Sequence, residues 1–76
     1  MTRRILVTGG SRGIGAAISR AFADLGDTVA VHCSSNRAGA EAVAASLPGA
    51  SHVVVQADLR DAAAVRAMVD GAAEAL

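Results

Sequence analysis

The sequence contains no lysine, tyrosine or tryptophan, and it has one phenylalanine, one cysteine and one proline among 76 residues. Without lysine it cannot form the phosphate-binding loop of nucleotide hydrolases, which ends in a lysine followed by serine or threonine. With Phe22 as its single aromatic residue, it has no set of rings on which nucleic-acid bases could stack. Because Cys33 has no partner within the chain, an internal disulfide is excluded, which favours a reducing compartment and predicts a cytoplasmic location.

Charge and hydrophobicity exclude further classes of protein. Seven basic residues balance seven acidic residues, so the chain lacks the basic surplus that is typical of nucleic-acid-binding proteins. No stretch approaches the roughly 20 apolar residues that a membrane-spanning helix requires, and we expect no membrane partner. The two histidines and one cysteine are too scattered to indicate a metal site. With 53% hydrophobic and 18% charged residues, the composition is typical of a folded globular protein.

Three β-prone runs alternate with three stretches of helical periodicity. The predicted elements are a strand at 5–7, a helix at about 13–25, a strand at 28–33, a helix at 38–47, a strand at 52–56 and a helix that begins after Asp61. Their order and short connections predict an α/β fold with a parallel, doubly wound sheet. Right-handed crossovers give the strand order 3-2-1, with the first two helices on one face and the third on the other.

Side-chain spacing and turn residues support the three helices. In the first helix the apolar positions that recur at helical spacing are Ile14, Ile18, Ala21, Phe22 and Leu25. In the third, the positions predicted to form the buried side are Val65, Met68, Val69, Ala72 and Leu76. The turn at 34–36 and Asp61 supply side chains that cap a following helix.

A glycine cluster lies between the first strand and the first helix, where residues 8–15 read Thr-Gly-Gly-Ser-Arg-Gly-Ile-Gly. The N-terminus of a helix carries about half a positive charge and N–H groups without intrahelical partners, so this junction predicts an anion site. Gly9 would permit the tight turn, Gly13 the approach of a pyrophosphate, and Gly15 the close packing of the helix on the sheet. The alternative is a glycine-rich turn that binds no ligand.

The same segment resembles the TGxxxGxG loop of the short-chain dehydrogenase/reductase family at every fixed position. Arg12 stands where the TGxxGxxG pattern of the epimerase-like branch requires glycine. A second resemblance is the aspartate that closes the third strand, here Asp58. The resemblance covers all 76 residues. It implies a Rossmann-type fold and a nicotinamide dinucleotide as cofactor.

The resemblance also implies which residues contact this cofactor. In the loop they are Gly9, Ser11, Arg12, Gly13, Ile14 and Gly15, with Ser11 and Arg12 hydrogen-bonding to phosphate oxygens. Asp58 would accept a hydrogen bond from the adenine amino group, and the Leu59 N–H would donate to a ring nitrogen. The alternative for Asp58 is a turn aspartate that binds local N–H groups.

The end of the second strand favours NADP(H) over NAD(H). An acidic residue about 20 positions past the loop usually binds the ribose 2′-hydroxyl of NAD, but no acid occurs between Asp27 and Glu41. Cys33 occupies the place where NAD-specific relatives carry aspartate. Ser34 falls where similar NADP-dependent reductases offer a hydroxyl to the 2′-phosphate. Arg12 and Arg37 would add positive charge.

Two residues near this point have a second interpretation. Arg37 is either a phosphate ligand or an ordinary solvated residue at a helix start. His32 either lines the adenosine pocket or is a partly exposed structural histidine.

The catalytic residues of the resembled family are an asparagine, a serine, and a tyrosine and lysine spaced YxxxK, all downstream of the cofactor half. Since tyrosine and lysine are absent, we assign no catalytic residue and expect the 76-residue chain to be inactive alone. The first strand has no predicted partner on its second edge, and such an edge favours aggregation. We therefore expect residues 1–76 to be the N-terminal dinucleotide-binding part of a single longer domain. The alternative is a truncated product without a stable fold.

The wording of the loop is most similar to that of 3-oxoacyl-[acyl-carrier-protein] reductases, which act in fatty acid synthesis. The implied reaction transfers hydride between nicotinamide and a carbonyl or alcohol carbon, and the implied assembly is a homo-oligomer, a dimer or a tetramer. Sugar, steroid and other alcohol dehydrogenases share the loop, so these substrates stay open. A non-catalytic NADP-binding sensor or regulatory module is the alternative from another class.

Overall fold

The computed structural model describes residues 3–10, 13–49 and 51–75. Its elements are β1 (Arg4–Val7), α1 (Gly13–Asp24), β2 (Thr28–Cys33), α2 (Arg37–Ser46), β3 (Val53–Gln56) and α3 (Ala62–Ala75). Every predicted element is therefore present. In none of these helices does a stretch occur that is both long enough and apolar enough to cross a membrane.

The three strands form one parallel sheet in the order β1-β2-β3. Ile5 pairs with Val29, and Val31 pairs with Val54. This order confirms the predicted 3-2-1 arrangement. It also brings the carboxyl ends of all three strands to one edge of the sheet, which is where open α/β sheets bind ligands.

Side chains alternate between two packed faces of the sheet. Val29, Val31 and Cys33 belong to the main core, together with residues of α1 and α2 such as Ala23 and Ala40. The helix α3 packs on the other face. There the Arg4 guanidinium donates to the Ala73 carbonyl (3.5 Å), and Leu6 lines a groove with Val69 and Ala72. Helices cover both faces, as expected for a doubly wound sheet.

Both predicted helix caps are present. The Asn36 side chain accepts a hydrogen bond from the Gly39 N–H (3.1 Å) at the start of α2. The Asp61 carboxylate accepts from the N–H groups of Ala63 (3.0 Å) and Ala64 (3.1 Å) at the start of α3. These bonds satisfy N–H groups that the helices themselves leave unpaired.

The buried side of α1 differs from the one suggested by its large apolar residues. Ile14 is 80% exposed and Leu25 is 70% exposed, whereas Ser19 and Ala23 are buried. Small side chains let this helix approach the sheet closely, and the Ser19 hydroxyl is satisfied by donating to the Gly15 carbonyl (3.0 Å).

The third helix is close to its prediction. Met68 and Ala72 are buried, but Val69 is 46% exposed, because it faces the open groove beside β1. The predicted burial of Leu76 lies outside the described residues.

Candidate functional site

A cleft of about 380 Å³ opens at the carboxyl ends of the strands. Its lining includes Gly9, His32, Ser34, Asn36, Asp58 and Leu59. These residues come from the loops that follow β1, β2 and β3, together with the last residues of β2. The fold therefore brings four of the predicted site residues, Gly9, Ser34, Asp58 and Leu59, into one cavity.

Glycine is required at two positions, one in the turn before α1 and one at the first residue of α1. Gly9 has φ of 65° and Gly13 has φ of 49°, in the left-handed region that residues with a Cβ adopt at a cost of about 1–2 kcal/mol. Among the described residues, apart from the chain neighbours and the backbone of α1, no heavy atom lies within 4 Å of the place where a Cβ would stand on either glycine. Gly9 lines the cleft, so its bare backbone faces open space there, as an approaching ligand would need.

Gly15 is required for a different reason. A Cβ on Gly15 would overlap the carbonyl oxygen of Gly9 and would lie 2.9 Å from Cα of Gly10. Gly15 therefore packs the start of α1 against the turn. Gly10, which the sequence analysis did not single out, packs on the sheet, because its Cβ would lie 3.0 Å from Val31 Cγ1 and 3.1 Å from the Val7 carbonyl oxygen.

His32 is buried, with 1% of its surface exposed, so the expectation of a partly exposed histidine is wrong. Its ring lies between two loops of the cleft. Nδ1 accepts a hydrogen bond from the Gly9 N–H (2.9 Å), and Nε2 lies 2.9 Å from the Ala57 carbonyl oxygen. The His32 carbonyl oxygen also accepts from the Gly10 N–H (2.9 Å). His32 is thus bonded to both consecutive glycines of the turn.

One sequence signal could have identified this role. His32 interrupts the apolar run of β2, and a polar ring inside a strand covered on both faces requires hydrogen-bond partners. The sequence places the histidine in the strand. It does not specify the partners, which follow from the pairing of β2 with its neighbours.

Asp58 is held by Arg60, which the sequence analysis did not single out. The Arg60 guanidinium donates to both carboxylate oxygens (3.1 Å and 2.9 Å), and the Arg60 N–H donates to Oδ1 (2.9 Å). The hydrogen bonds from Arg60 lower the pKa of the Asp58 carboxyl. The carboxylate therefore stays ionised as a hydrogen-bond acceptor at the cleft, half exposed to solvent.

The end of β2 presents no acidic side chain to the cleft. Cys33 is buried, and its carbonyl oxygen accepts from the Ala57 N–H (3.1 Å). Ser34 is exposed at the rim, and its carbonyl oxygen accepts from the Gln56 side chain (3.3 Å). Asp27 lies at the opposite end of β2. Ser34 therefore lies at a strand end that carries no carboxylate side chain.

The remaining predicted residues that the structure describes fall outside this lining. Ser11 and Arg12 lie outside the described residues. Ile14 is exposed in the first turn of α1. Arg37 does not line the cleft, and its guanidinium pairs with Glu41 one turn along α2 (3.2 Å). Because both partners of that pair are more than half exposed, little free energy holds Arg37 in this position.

The described residues form no candidate metal centre. Within residues 3–10, 13–49 and 51–75, no three histidine, cysteine, aspartate or glutamate side chains are grouped so that they could hold a metal ion.

Known proteins are similar to this chain in sequence and in fold. The family model described as short chain dehydrogenase matches residues 3–76. A probable galactose dehydrogenase from Rhizobium meliloti is 49% identical over 73 residues, which cover 92% of this chain and 28% of that protein. A 3-oxoacyl-[acyl-carrier-protein] reductase from Staphylococcus aureus is 41% identical over 71 residues, which cover 91% of this chain and 29% of that protein.

A solved structure shows the same likeness in three dimensions. A short chain dehydrogenase from Burkholderia cenocepacia J2315, crystallised in complex with NADP, is 47% identical and superposes with a TM-score of 0.90. The comparison covers 96% of this chain and 31% of that one. The chain thus spans less than a third of the length of each of these proteins.

Proposed function

This chain belongs to the short chain dehydrogenase family, and we propose that it forms the cofactor-binding part of an oxidoreductase that uses NADP(H). The observation that carries the proposal is the cleft at the carboxyl ends of the strands, where the glycine turn, the end of β2 and Asp58 meet. A dinucleotide has a diphosphate in its middle and an adenosine at one end. The glycine turn at the cleft leads into the N-terminus of α1, which suits the first, and the ionised Asp58 carboxylate in the lining suits the second.

The residues of the turn fit a diphosphate. The first N–H groups of α1 have no partners within the helix and carry the positive end of its dipole. Beyond their chain neighbours and the backbone of α1, no atom of the described part of the chain lies within 4 Å of the Cβ positions of Gly9 and Gly13, which leaves space for a phosphate to approach their backbone. We propose that Gly9, Gly13, Ile14 and Gly15 bind the diphosphate together with Ser11 and Arg12.

The adenosine part of the cofactor would lie beside the loops that follow β2 and β3. The ionised Asp58 carboxylate can accept a hydrogen bond from the adenine amino group, with the Leu59 N–H as a donor to the ring. Asp58 keeps this capacity while bonded to Arg60, because Oδ2 accepts a single hydrogen bond from Arg60 and has a second lone pair.

The choice of NADP(H) follows from the end of β2. Cys33 supplies no carboxylate that would bind a ribose 2′-hydroxyl or repel a 2′-phosphate, and the hydroxyl of Ser34 lies at the rim of the same cleft. Arg37 begins α2 three residues after Ser34 and is free to exchange its exposed partner for a phosphate. A charge-assisted hydrogen bond of this kind contributes about 1.5–3 kcal/mol. The NADP complex of the Burkholderia relative supports this choice.

The bound nicotinamide would supply the hydride, while the protein orients the cofactor and polarises the substrate. We propose a 3-oxoacyl thioester as the substrate of the whole protein, which the relative from Staphylococcus aureus supports. The galactose dehydrogenase relative favours a second candidate, the oxidation of a sugar hydroxyl. The tyrosine and lysine of the family's catalytic set would come from outside residues 1–76.

The setting of the enzyme is part of the proposal. We propose that the whole protein is a cytoplasmic homo-oligomer. The buried free thiol of Cys33 is compatible with a reducing compartment.

The test is a fluorescence titration of the complete polypeptide that contains residues 1–76 with NADPH and with NADH. We expect NADPH to bind at least about tenfold more tightly, which corresponds to roughly 1.4 kcal/mol. Equal dissociation constants would contradict the choice of NADP(H). Turnover is then assayed with a 3-oxoacyl thioester plus NADPH and with galactose plus NADP⁺. Tight binding without any turnover would favour the non-catalytic sensor.

A further inference from the structure

The imidazole of His32 connects the two halves of the cleft. On one side Nδ1 accepts from the Gly9 N–H (2.9 Å), and on the other Nε2 contacts the Ala57 carbonyl oxygen (2.9 Å). Ala57 directly precedes Asp58, which faces the proposed adenosine position. A single buried ring therefore links the loop after β1 to the loop after β3.

These partners define the protonation state of the ring. A backbone N–H can only donate, so Nδ1 must be the unprotonated acceptor nitrogen. A carbonyl oxygen can only accept, so Nε2 must carry the proton and donate to Ala57. His32 is thus the neutral Nε2–H tautomer in the folded protein, with both ring nitrogens satisfied.

The bond from its N–H to Nδ1 holds Gly9 against β2. Within the part of the chain that the structure describes, no heavy atom other than those of its chain neighbours lies within 4 Å of its Cβ position. The Gly9 carbonyl in turn contacts Gly15 in the first turn of α1, where a Cβ would overlap it. A shift of Gly9 would therefore move the seat of the helix N-terminus that is proposed to receive the diphosphate.

We propose that His32 is a positioning residue for the dinucleotide, which acts through the acceptor nitrogen that fixes Gly9. The inference rests on the proposed function, because it assigns His32 a role in binding that same cofactor. His32 does not touch the diphosphate in this role. It holds the turn in the conformation that the diphosphate requires, so that this order exists before binding.

Two substitutions distinguish the roles of the two ring nitrogens. In His32→Asn the side-chain oxygen takes roughly the place of Nδ1 and keeps an acceptor for Gly9. In His32→Gln the side-chain nitrogen takes roughly the place of Nε2 and keeps a donor for Ala57, without the acceptor for Gly9. Both variants shorten or reshape a buried side chain and should lower stability. Only His32→Gln removes the side-chain acceptor for the Gly9 N–H.

His52 provides a matched control within the same chain. Its Nδ1 accepts from the Val29 N–H (3.0 Å), and its Nε2 contacts the Pro48 carbonyl oxygen (2.7 Å). The chemistry of the two histidines is the same, but His52 lies at the amino ends of the strands, across the sheet from the cleft. His52→Asn and His52→Gln therefore report the effect of the substitutions on the fold alone.

The experiment measures the dissociation constant for NADPH and the urea-induced unfolding of each variant in the complete polypeptide. We expect His32→Gln to weaken NADPH binding about tenfold, and His32→Asn to stay within about threefold of the wild type. Both His52 variants should bind NADPH as the wild type does, whatever they lose in stability.

The other outcomes overturn the inference. If both His32 variants bind NADPH equally, whether like the wild type or more weakly by the same factor, the acceptor nitrogen has no special role. If His32→Gln does not fold, His32→Asn decides, since retained affinity supports the inference and a tenfold loss overturns it. A wild-type protein that binds neither NADPH nor NADH overturns the proposed function and this inference together, whereas a normal wild type with an unaffected His32→Gln overturns the inference alone.

Discussion

The Asp27 carboxylate is bound by Arg3, which lies 24 residues earlier in the chain. The guanidinium donates to it at 2.7 Å and 3.1 Å, and the Arg3 backbone N–H adds a third contact at 3.2 Å. The Arg3 carbonyl oxygen accepts from the Thr28 N–H (2.9 Å), and the guanidinium lies 5.7 Å from the centre of the Phe22 ring. These contacts tie the residue before β1 to the turn before β2, and so align the starts of the two strands.

This ion pair predicts how stability depends on pH. The hydrogen bond from Arg3 lowers the pKa of the Asp27 carboxyl, so the folded-state value lies below the roughly 3.9 of an unfolded aspartate. The stabilisation is therefore complete above about pH 4 and is lost as the pH falls through the folded-state pKa. We expect the difference in unfolding free energy between wild type and Asp27→Asn to be constant from neutral pH to about pH 5 and to shrink below about pH 4.

Urea denaturation at a series of pH values measures this difference. Asp24→Asn is the control, because Asp24 is an exposed carboxylate three residues earlier, and its substitution should change stability little. A gap between wild type and Asp27→Asn that persists unchanged to about pH 2 would contradict the prediction.

The packing of Gly15 predicts opposite effects of one substitution at two helical sites. Gly15→Ala places a methyl group against the Gly9 carbonyl and should destabilise the protein by roughly 1–3 kcal/mol. Gly71→Ala in α3 has open space at the Cβ position and should stabilise it by about 0.8–1 kcal/mol through helix propensity. Chemical denaturation of both variants measures these changes. A stabilising Gly15→Ala would mean that the turn is not seated on α1.

The open space around Gly13 predicts a loss of cofactor affinity that backbone strain does not explain. Gly13→Ala and Gly26→Ala both place a methyl group in open space at a positive φ (49° and 91°), so each should cost about 1–2 kcal/mol of stability. Only the Gly13 methyl group would stand where the diphosphate is proposed to approach. We expect NADPH titration to show an affinity at least about tenfold weaker for Gly13→Ala and an unchanged affinity for Gly26→Ala. Equal affinities would place the diphosphate elsewhere.

The proposed 2′-phosphate position predicts that a negative charge on Ser34 discriminates between the two cofactors. Ser34→Asp should weaken NADPH binding at least about tenfold through charge repulsion, and should change NADH binding less than about threefold. NADH serves as the internal control, and Ser46→Asp, on the last residue of α2, tests for effects of charge far from the cleft. Equal weakening of both cofactors by Ser34→Asp would show that the 2′-phosphate is not beside this residue.

The elements and their order were predictable from the sequence because their signals are local. Helical periodicity, β-prone runs and the caps Asn36 and Asp61 each depend on residues a few positions apart. The right-handed crossover rule then leaves a single strand order for short βαβ units. The glycine cluster was predictable for the same reason, since it stands directly between a strand and a helix.

The tertiary structure alone decided which side chains are buried and which atoms meet. Ile14 is exposed and Ser19 is buried, because the distance between α1 and the sheet is set by small residues and not by the largest apolar ones. His32 finds partners 23 and 25 residues away, and only the pairing of three strands brings Gly9 and Ala57 to its ring. Local backbone preferences are encoded in neighbouring residues, whereas burial and hydrogen-bond partners depend on which distant segments pack together.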